Sequence, residues 1–184
     1  IQGPEIAQKM EAQALRYGTQ IAHEEITSLS RKGAIFEAQS SDGAYAARAV
    51  ILAMGASYRF LGVPNEKEFT GRGVSYCATC DGAFFRGKKV VVVGGGDSAL
   101  QEGLFLTRFA ERVTIVHRRD ALRASPILQE RAKTNPKINF IWDTVVDKID
   151  GANKVEFAVL KNVKTQALQK YATDGVFVFI GHDP

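Results

Sequence analysis

Four consecutive valines, residues 90–93, run directly into three glycines, and this junction constrains the fold more than any other feature. An unbroken apolar run is typical of a strand buried on both faces of a sheet, and we predict a strand at residues 89–93. A helical pattern follows at 98–109, and a second strand is predicted at 112–116. This order predicts a βαβ unit, in which the strands are parallel and the crossover is right-handed.

The glycines have the spacing Gly-x-Gly-x-x-Ala that a dinucleotide-binding turn requires. Gly94 permits the tight turn, Gly96 lets the backbone approach a pyrophosphate, and Ala99 allows close packing of helix on strand. The free amides at the helix N-terminus would then face the phosphates. A purely structural glycine turn is the alternative. The candidate phosphate-binding residues are Gly94, Gly95, Gly96, Asp97, Ser98 and Ala99.

Basic residues stand where the second strand of this unit ends. An NAD site carries Asp or Glu there to bind the ribose 2′-hydroxyl, whereas this chain has His117, Arg118 and Arg119, followed by Arg123. Guanidinium groups bind a 2′-phosphate through charge-assisted hydrogen bonds, so the pattern favours NADPH over NADH. A solvated basic corner is the alternative. The net charge is +4, but basic and aromatic residues do not interleave, so we expect no nucleic-acid partner.

The two cysteines, Cys77 and Cys80, have the spacing of a redox dithiol. Asp81 follows directly and could move the proton that thiol–disulfide exchange relocates. Half of a zinc site and a pair of inert buried thiols are the alternatives, although the three histidines show no ligand spacing and we expect no metal. Beside an NADPH site the redox interpretation is favoured. A flavin normally mediates between NADPH and a disulfide, and the sequence has no second glycine-rich motif to bind one.

The composition is ordinary for a soluble globular protein, with 45% hydrophobic and 24% charged residues. No apolar run reaches the roughly 20 residues of a membrane helix, and no signal peptide precedes the first helical pattern, so we expect no membrane partner. Helices are predicted at residues 4–17 and from Ser125-Pro126 onward. Further strands are predicted at residues 19–26, 34–39, 49–54, 138–142, 145–149, 154–160 and 176–180. Aromatic side chains are often buried, so we expect Phe84, Phe85 and Trp142 to be core residues rather than cofactor contacts.

Four motifs resemble the low-molecular-weight, bacterial-type thioredoxin reductases in order and spacing. They are the segment 71–85 around Cys77-Ala78-Thr79-Cys80-Asp81, the turn 94–99, the basic segment 117–124 and the run Phe179-Ile180-Gly181-His182. The resemblance covers essentially the whole chain.

The resemblance implies an α/β fold. A Rossmann-like NADPH-binding domain, three-layered and with an antiparallel β-meander, would be inserted in a partial FAD-binding domain. Residues 1–70 and 173–184 would belong to the FAD-binding domain and residues 71–172 to the NADPH-binding domain. Residues 61–73 and 171–175 would connect them.

The resemblance also implies a route for electrons. Cys80 would lie against the flavin and accept its electrons, Cys77 would attack the disulfide of thioredoxin or a thioredoxin-like protein, and Asp81 would act as acid and base. Three arginines would bind the 2′-phosphate of NADPH, namely Arg118, Arg119 and Arg123. Members of the family are cytoplasmic homodimers whose domains rotate, so that NADPH and the disulfide reach the flavin in turn.

The sequence departs from that family in three places. The N-terminal glycine motif for FAD and the C-terminal segment of the flavin site are absent, and Met54 stands where Thr is usual. We therefore expect the 184 residues by themselves to bind NADPH weakly and to turn nothing over. Two rivals are the flavoprotein subunit of an alkyl hydroperoxide reductase, whose cysteines usually enclose Pro-His, and a non-catalytic NADP-binding module whose cysteines sense redox state. Ferredoxin–NADP reductases of this fold lack the cysteines.

Overall fold

A computed structural model describes residues 3–183, which divide after Met54 into two compact units. The first unit, residues 3–54, consists of a helix and an antiparallel sheet in the order β1-β2-β3. Its elements are α1 (Gly3–Arg16), β1 (Ile26–Lys32), β2 (Ile35–Ser40) and β3 (Ala44–Ala47). The helix predicted at residues 4–17 is confirmed, and an ion pair of 2.7 Å between Glu5 and Lys9, one turn apart, supports its first half.

Two strand predictions in the first unit are wrong. Residues 19–25 have no regular structure, so that β1 begins only at Ile26, and residues 49–54 form no strand. The apolar run 49–54 predicted a strand buried in a sheet. Instead, Ile51 is 92% exposed and no strand among the described residues pairs with this segment. The burial in a sheet on which the prediction depended is therefore absent from this segment.

The second unit, residues 55–183, holds most of the regular structure. Its elements are β4 (Ser57–Tyr58), β5 (Val74–Ser75), α2 (Ala78–Asp81), a short 3-10 helix (Gly82–Phe85), β6 (Lys89–Val93), α3 (Asp97–Leu106), β7 (Arg112–Val116), α4 (Pro126–Lys133), β8 (Ile138–Ile141), β9 (Thr144–Asp150), β10 (Phe157–Asn162), β11 (Leu168–Ala172), β12 (Gly175–Val178) and β13 (His182–Asp183). No helix within residues 3–183 combines the length and the apolar composition that crossing a membrane requires.

Three layers build the second unit. The central layer is a parallel sheet in the order β5-β12-β6-β7-β8. Helices α3 and α4 pack on one face, and the antiparallel meander β9-β10-β11 packs on the other. The predicted α/β fold, with a Rossmann-like parallel sheet and a meander, is therefore confirmed.

Strand β6 explains why the valine run is unbroken. Val90 and Val92 face the helices, whereas Val91 and Val93 face the meander, and all four are buried. Strands β6 and β7 match the predicted segments to the residue. The sequence does not predict β11, because four of its five residues are exposed and it pairs only with β10 at the edge of the meander.

Strand β12 lies inside the parallel sheet of the second unit. Residues 173–184 are expected to return to the FAD-binding domain, but β12 lies between β5 and β6, where Val176 pairs with both Val74 and Val91. Its four residues are buried, so removing them would open the middle of the sheet. The compact second unit therefore contains β12 and begins at Gly55, and the assignment of residues 1–70 and 173–184 to an FAD-binding domain stays a prediction.

A buried carboxylate organises the segment that leads to β5. Glu66 is 2% exposed, and its two carboxylate oxygens accept hydrogen bonds from the amides of Leu61 and Gly62, both at 2.8 Å. The hydroxyl of Tyr76 donates a third bond to the same carboxylate at 2.9 Å. Burial and this bond raise the pKa of Tyr76, which keeps the hydroxyl a donor.

Replacing Glu66 with Ala should destabilise the second unit by about 3 kcal/mol, because three hydrogen bonds to a buried carboxylate are lost. Denaturant unfolding measures the change. The matched control is Glu68→Ala, which removes an exposed carboxylate 3.8 Å from Arg72 and should cost less than about 0.5 kcal/mol. Equal effects of the two substitutions would contradict this role for Glu66.

Candidate active site

A cleft of about 640 Å³ opens at the carboxyl ends of β6, β7 and β12, where parallel α/β sheets bind their ligands. Nine of the ten predicted cofactor-binding residues line it: Gly94, Gly95, Gly96, Asp97, Ser98, His117, Arg118, Arg119 and Arg123. The tenth, Ala99, is fully buried and does not line the cleft. The structure therefore brings together the two sequence motifs that are separated by about twenty residues.

Each glycine of the turn 94–96 meets a different constraint. Gly94 has φ of 147° and lies so close to the carbonyl of Phe179 and to Ala99 that no side chain fits. A Cβ on Gly95 would overlap the imidazole of His117. Gly96 has no heavy atom within 4 Å of the place of a Cβ, so its backbone is bare toward the open cleft. This is the arrangement that a close approach of phosphate oxygens to backbone requires.

Backbone hydrogen bonds join the glycine turn to the loop 118–125, which carries the arginines and which we call the arginine loop. The carbonyl of Gly95 accepts from the amides of Arg123 at 2.8 Å and Ala124 at 3.1 Å. The carboxylate of Asp97 accepts from the amide of Ser125 at 2.6 Å. Asp97 thus has a structural partner that the sequence does not reveal.

His117 is part of the floor of the cleft. Its side chain is buried beneath Gly95, and its Nε2 has no hydrogen-bond partner within the described residues. Burial lowers the pKa of His117 below its usual range, and the charges of the nearby arginines lower it further. The imidazole is therefore neutral at pH 7, with one ring nitrogen left for a ligand.

Arg118, Arg119 and Arg123 are exposed at the cleft, and within residues 3–183 none of them forms an ion pair. A fourth cleft arginine, Arg59, is paired with Asp183 at 2.6 Å. Free guanidinium groups at the end of the second strand suit a 2′-phosphate, and the positive end of α3 adds to the field. The described residues therefore fit NADPH.

Cys77 and Cys80 form a disulfide with their Cα atoms 5.3 Å apart. Cys77 caps the short helix α2, and its Sγ accepts from the amide of Cys80 at 3.2 Å and lies 3.4 Å from the hydroxyl of Thr79. Both contacts can stabilise a thiolate on Cys77 once the bond is reduced. Cys80 is exposed, whereas Cys77 is half-buried.

Ser75 is a residue of this site that sequence reasoning misses. It is 3% exposed, and its hydroxyl lies 2.6 Å from Oδ2 of Asp81, to which it donates. The hydroxyl oxygen of Ser75 in turn accepts from the amide of Cys77 at 3.1 Å. Ser75 therefore holds the predicted acid and the first cysteine in one network. No local signal in the sequence could have found it, since the contact is made by the fold of residues 75–81.

The disulfide and Asp81 do not line the nucleotide cleft. Cys77 follows β5 and Gly94 follows β6, so the two sites lie at the same edge of the parallel sheet with β12 between their strands. The second unit carries both sites and keeps them apart.

Residues 2–184 match the family described as pyridine nucleotide-disulphide oxidoreductase. The chain belongs to this family.

Several thioredoxin reductases are similar to this chain over its whole length. The thioredoxin reductase of Treponema pallidum is 50% identical over 184 residues, and the chain spans 60% of it. The bifunctional thioredoxin reductase/thioredoxin of Mycobacterium leprae is 51% identical over 185 residues, and the chain spans 40% of it. The crystal structure of Lactococcus lactis thioredoxin reductase (FR conformation) is 45% identical with a TM-score of 0.77, and all of this chain covers 61% of that one.

Within this pyridine nucleotide-disulphide oxidoreductase, three aromatic residues have different surroundings although the sequence predicts all of them to be core residues. Phe85 is 8% exposed and packs on Phe177, which confirms its prediction. Trp142 is half-buried and stacks on Phe140. Phe84, however, is 73% exposed beside the disulfide helix, so its prediction is wrong. Phe84 and Phe85 are neighbours in the same 3-10 helix, so the turn that directs Phe85 into the core directs Phe84 toward solvent.

Gly96→Ala should raise the Kd for NADP⁺ about tenfold without destabilising the fold, because the added methyl enters open space that the pyrophosphate needs. The backbone at Gly96, with φ of −94° and ψ of −177°, is accessible to alanine. Calorimetric titration of the intact protein measures the Kd. Gly95→Ala is the contrasting variant: its methyl overlaps His117, so it should lower the Tm instead. Unchanged NADP⁺ binding by Gly96→Ala would rule out this turn as the phosphate site.

Proposed function

We propose that the chain forms the NADPH-binding and dithiol-bearing part of a thioredoxin-disulfide reductase. One observation carries the proposal: a single compact unit holds a cleft with three free arginines and, outside that cleft, a disulfide. Similarity to proteins named thioredoxin reductase supports it. Because the chain spans about three fifths of the Treponema protein, the activity belongs to the whole protein.

NADPH is the nucleotide that this cleft fits. The bare backbone at Gly96 and the N-terminus of α3 would bind the pyrophosphate. Three unpaired arginines would bind the 2′-phosphate: Arg118, Arg119 and Arg123. The free Nε2 of the neutral His117 would donate to or accept from the same ligand.

FAD, when bound, supplies the hydride acceptor that passes two electrons from NADPH to a disulfide. We propose that residues 3–54 belong to its binding domain. Within residues 3–183 the only strand–glycine turn–helix unit is that at 94–96, which is assigned to NADPH. We therefore assign no flavin contact to a named residue of this chain, Met54 included.

The reduced cysteines would pass their electrons on by thiol–disulfide exchange. The Cys77 thiolate, stabilised by the amide of Cys80, would attack one sulfur of the thioredoxin disulfide and release the other as a thiolate. The Cys80 thiolate would then attack Sγ of Cys77, which reforms the intramolecular disulfide and releases the second thioredoxin sulfur. Thioredoxin gains two electrons and two protons, and the Cys77–Cys80 pair loses both electrons.

Asp81 would move a proton in these steps. Its carboxylate is half-exposed, and the hydroxyl of Ser75 fixes one of its oxygens. Solvent can therefore reprotonate it between turnovers. We further propose a cytoplasmic homodimer, in which the second unit rotates to bring the cleft and the disulfide to the flavin in turn. The disulfide lies outside the nucleotide cleft, so the two sites cannot both face one flavin at the same time, which supports the proposed rotation.

Cys77→Ser in the intact, flavin-loaded protein should reduce NADPH-dependent thioredoxin reduction to background, because the thiol that attacks thioredoxin is lost and Cys80 alone cannot form the intramolecular disulfide that releases the reduced product. Reduction of the flavin by NADPH should persist, and the loss of flavin absorbance measures it. Thr79→Ala is the matched control, since it removes a 3.4 Å contact to Sγ of Cys77 and keeps both cysteines. This variant should retain activity within about tenfold of the unsubstituted protein. Full thioredoxin reduction by Cys77→Ser would favour the sensing role for the cysteines.

Arg118→Ala should weaken NADPH binding by at least about tenfold and leave NADH binding nearly unchanged, because a charge-assisted bond to the 2′-phosphate is lost. Equilibrium titration with both nucleotides gives the two ratios. Arg108→Ala removes an exposed arginine that lies over Phe105 outside the cleft, and it should change neither. Equal weakening of NADPH and NADH would contradict the assignment of the 2′-phosphate.

A further inference from the structure

Three segments meet at Asp143, next to the arginine loop. Asp143 follows β8 and has φ of 49°, a conformation that Asp and Asn tolerate better than most residues. Its amide donates to the carbonyl of Arg119 at 3.3 Å, and its carbonyl accepts from the amide of Val163 at 2.7 Å. The arginine loop is thus connected through Asp143 to the turn 163–167 between β10 and β11.

Lys164 in that turn faces two carboxylates. Its Nζ lies 2.8 Å from Oδ2 of Asp143 and 3.5 Å from Oδ2 of Asp120. The side chain of Asn162 fixes the turn by accepting from the amides of Lys164 at 3.0 Å and Thr165 at 2.9 Å. The position of the lysine is therefore set by backbone geometry as well as by charge.

The two carboxylates create an electrostatic problem for the cleft. Asp120 directly follows Arg119, and Asp143 is bonded to the Arg119 backbone, so both acids reduce the positive field that the arginines offer to a phosphate. Asp143 is also the less exposed of the two, with 19% of its side chain accessible, so solvent screens it less. The bond to Asp143 raises the pKa of Lys164, which keeps the lysine charged.

We propose that Lys164 is a positioning residue for NADPH selectivity: it neutralises Asp120 and Asp143, so that the arginines remain free for the 2′-phosphate. Lys164 does not line the cleft and acts through the two aspartates. The proposal rests on the proposed NADPH function of the same cleft. It explains why Arg118 and Arg119 form no ion pair although acids lie beside their loop.

Lys164→Met keeps most of the side-chain stem and removes the charge. Titration of the intact protein at low ionic strength should show the Kd for NADP⁺ raised about fivefold and the Kd for NAD⁺ unchanged, because only NADP⁺ carries the 2′-phosphate. Lys164→Arg should restore binding. The matched control is Lys154→Met, an exposed lysine in the turn between β9 and β10 that has no ion pair within the described residues. It changes the net charge equally and should leave both Kd values unchanged.

A double substitution tests the route. In an Asp120→Asn, Asp143→Asn background, Lys164→Met should no longer weaken NADP⁺ binding, because no negative charge remains to be neutralised. Asn also tolerates the positive φ of residue 143. A loss of equal size in that background would overturn the proposal, since the lysine would then act on the phosphate directly.

Two other outcomes are equally decisive. If Lys164→Met weakens NAD⁺ and NADP⁺ alike, the lysine only stabilises the fold and the proposal fails while the nucleotide site stands. If the unsubstituted protein does not prefer NADP⁺ to NAD⁺, the 2′-phosphate assignment itself fails, and the role of Lys164 fails with it.

Discussion

The carbonyl of Gly95 joins the two halves of the nucleotide cleft. By accepting from the amides of Arg123 and Ala124, it binds the glycine turn to the arginine loop, and the carboxylate of Asp97 adds a third bond to Ser125. The groups that face a pyrophosphate and those that face a 2′-phosphate are therefore parts of one body. Gly95 can do this only because it has no side chain, since His117 occupies the space below it. The cleft is therefore preorganised before a ligand binds, and this preorganisation reduces the entropy lost on binding.

The disulfide site is ordered in a similar way but from different groups. Ser75 connects the carboxylate of Asp81 to the amide of Cys77. Glu66 binds the hydroxyl of Tyr76, the residue between Ser75 and Cys77, and so fixes it to the preceding segment. Both anchors are almost fully buried, whereas Cys80 is exposed. A rigid support beneath an accessible sulfur pair suits exchange chemistry, because the sulfurs must be reached by a partner without rearrangement of the chain around them.

Residues that act through local pattern could be predicted from the sequence, and residues that act through the fold could not. Strand β6 is predictable because burial on both faces selects an unbroken valine run. The arginines are predictable because they follow that run at the spacing of a dinucleotide-binding unit. Ser75 and Lys164 carry no such pattern, since their partners are met only after folding. The segment 49–54 shows the opposite failure: its apolar residues resemble a buried strand, but Ile51 lies open in the first unit.

The position of β12 has a consequence for how the molecule acquires its fold. Within residues 3–183 this strand is the second-last, yet it fills the gap between β5 and β6, which precede it by about a hundred and by eighty-five residues. Pairings this distant in sequence are slow, because loop closure must occur before any contact is gained. During synthesis the glycine turn therefore emerges long before the sheet beneath it can close. Until residue 178 has left the ribosome, β6 has an unpaired edge, and an unpaired strand edge is prone to aggregation.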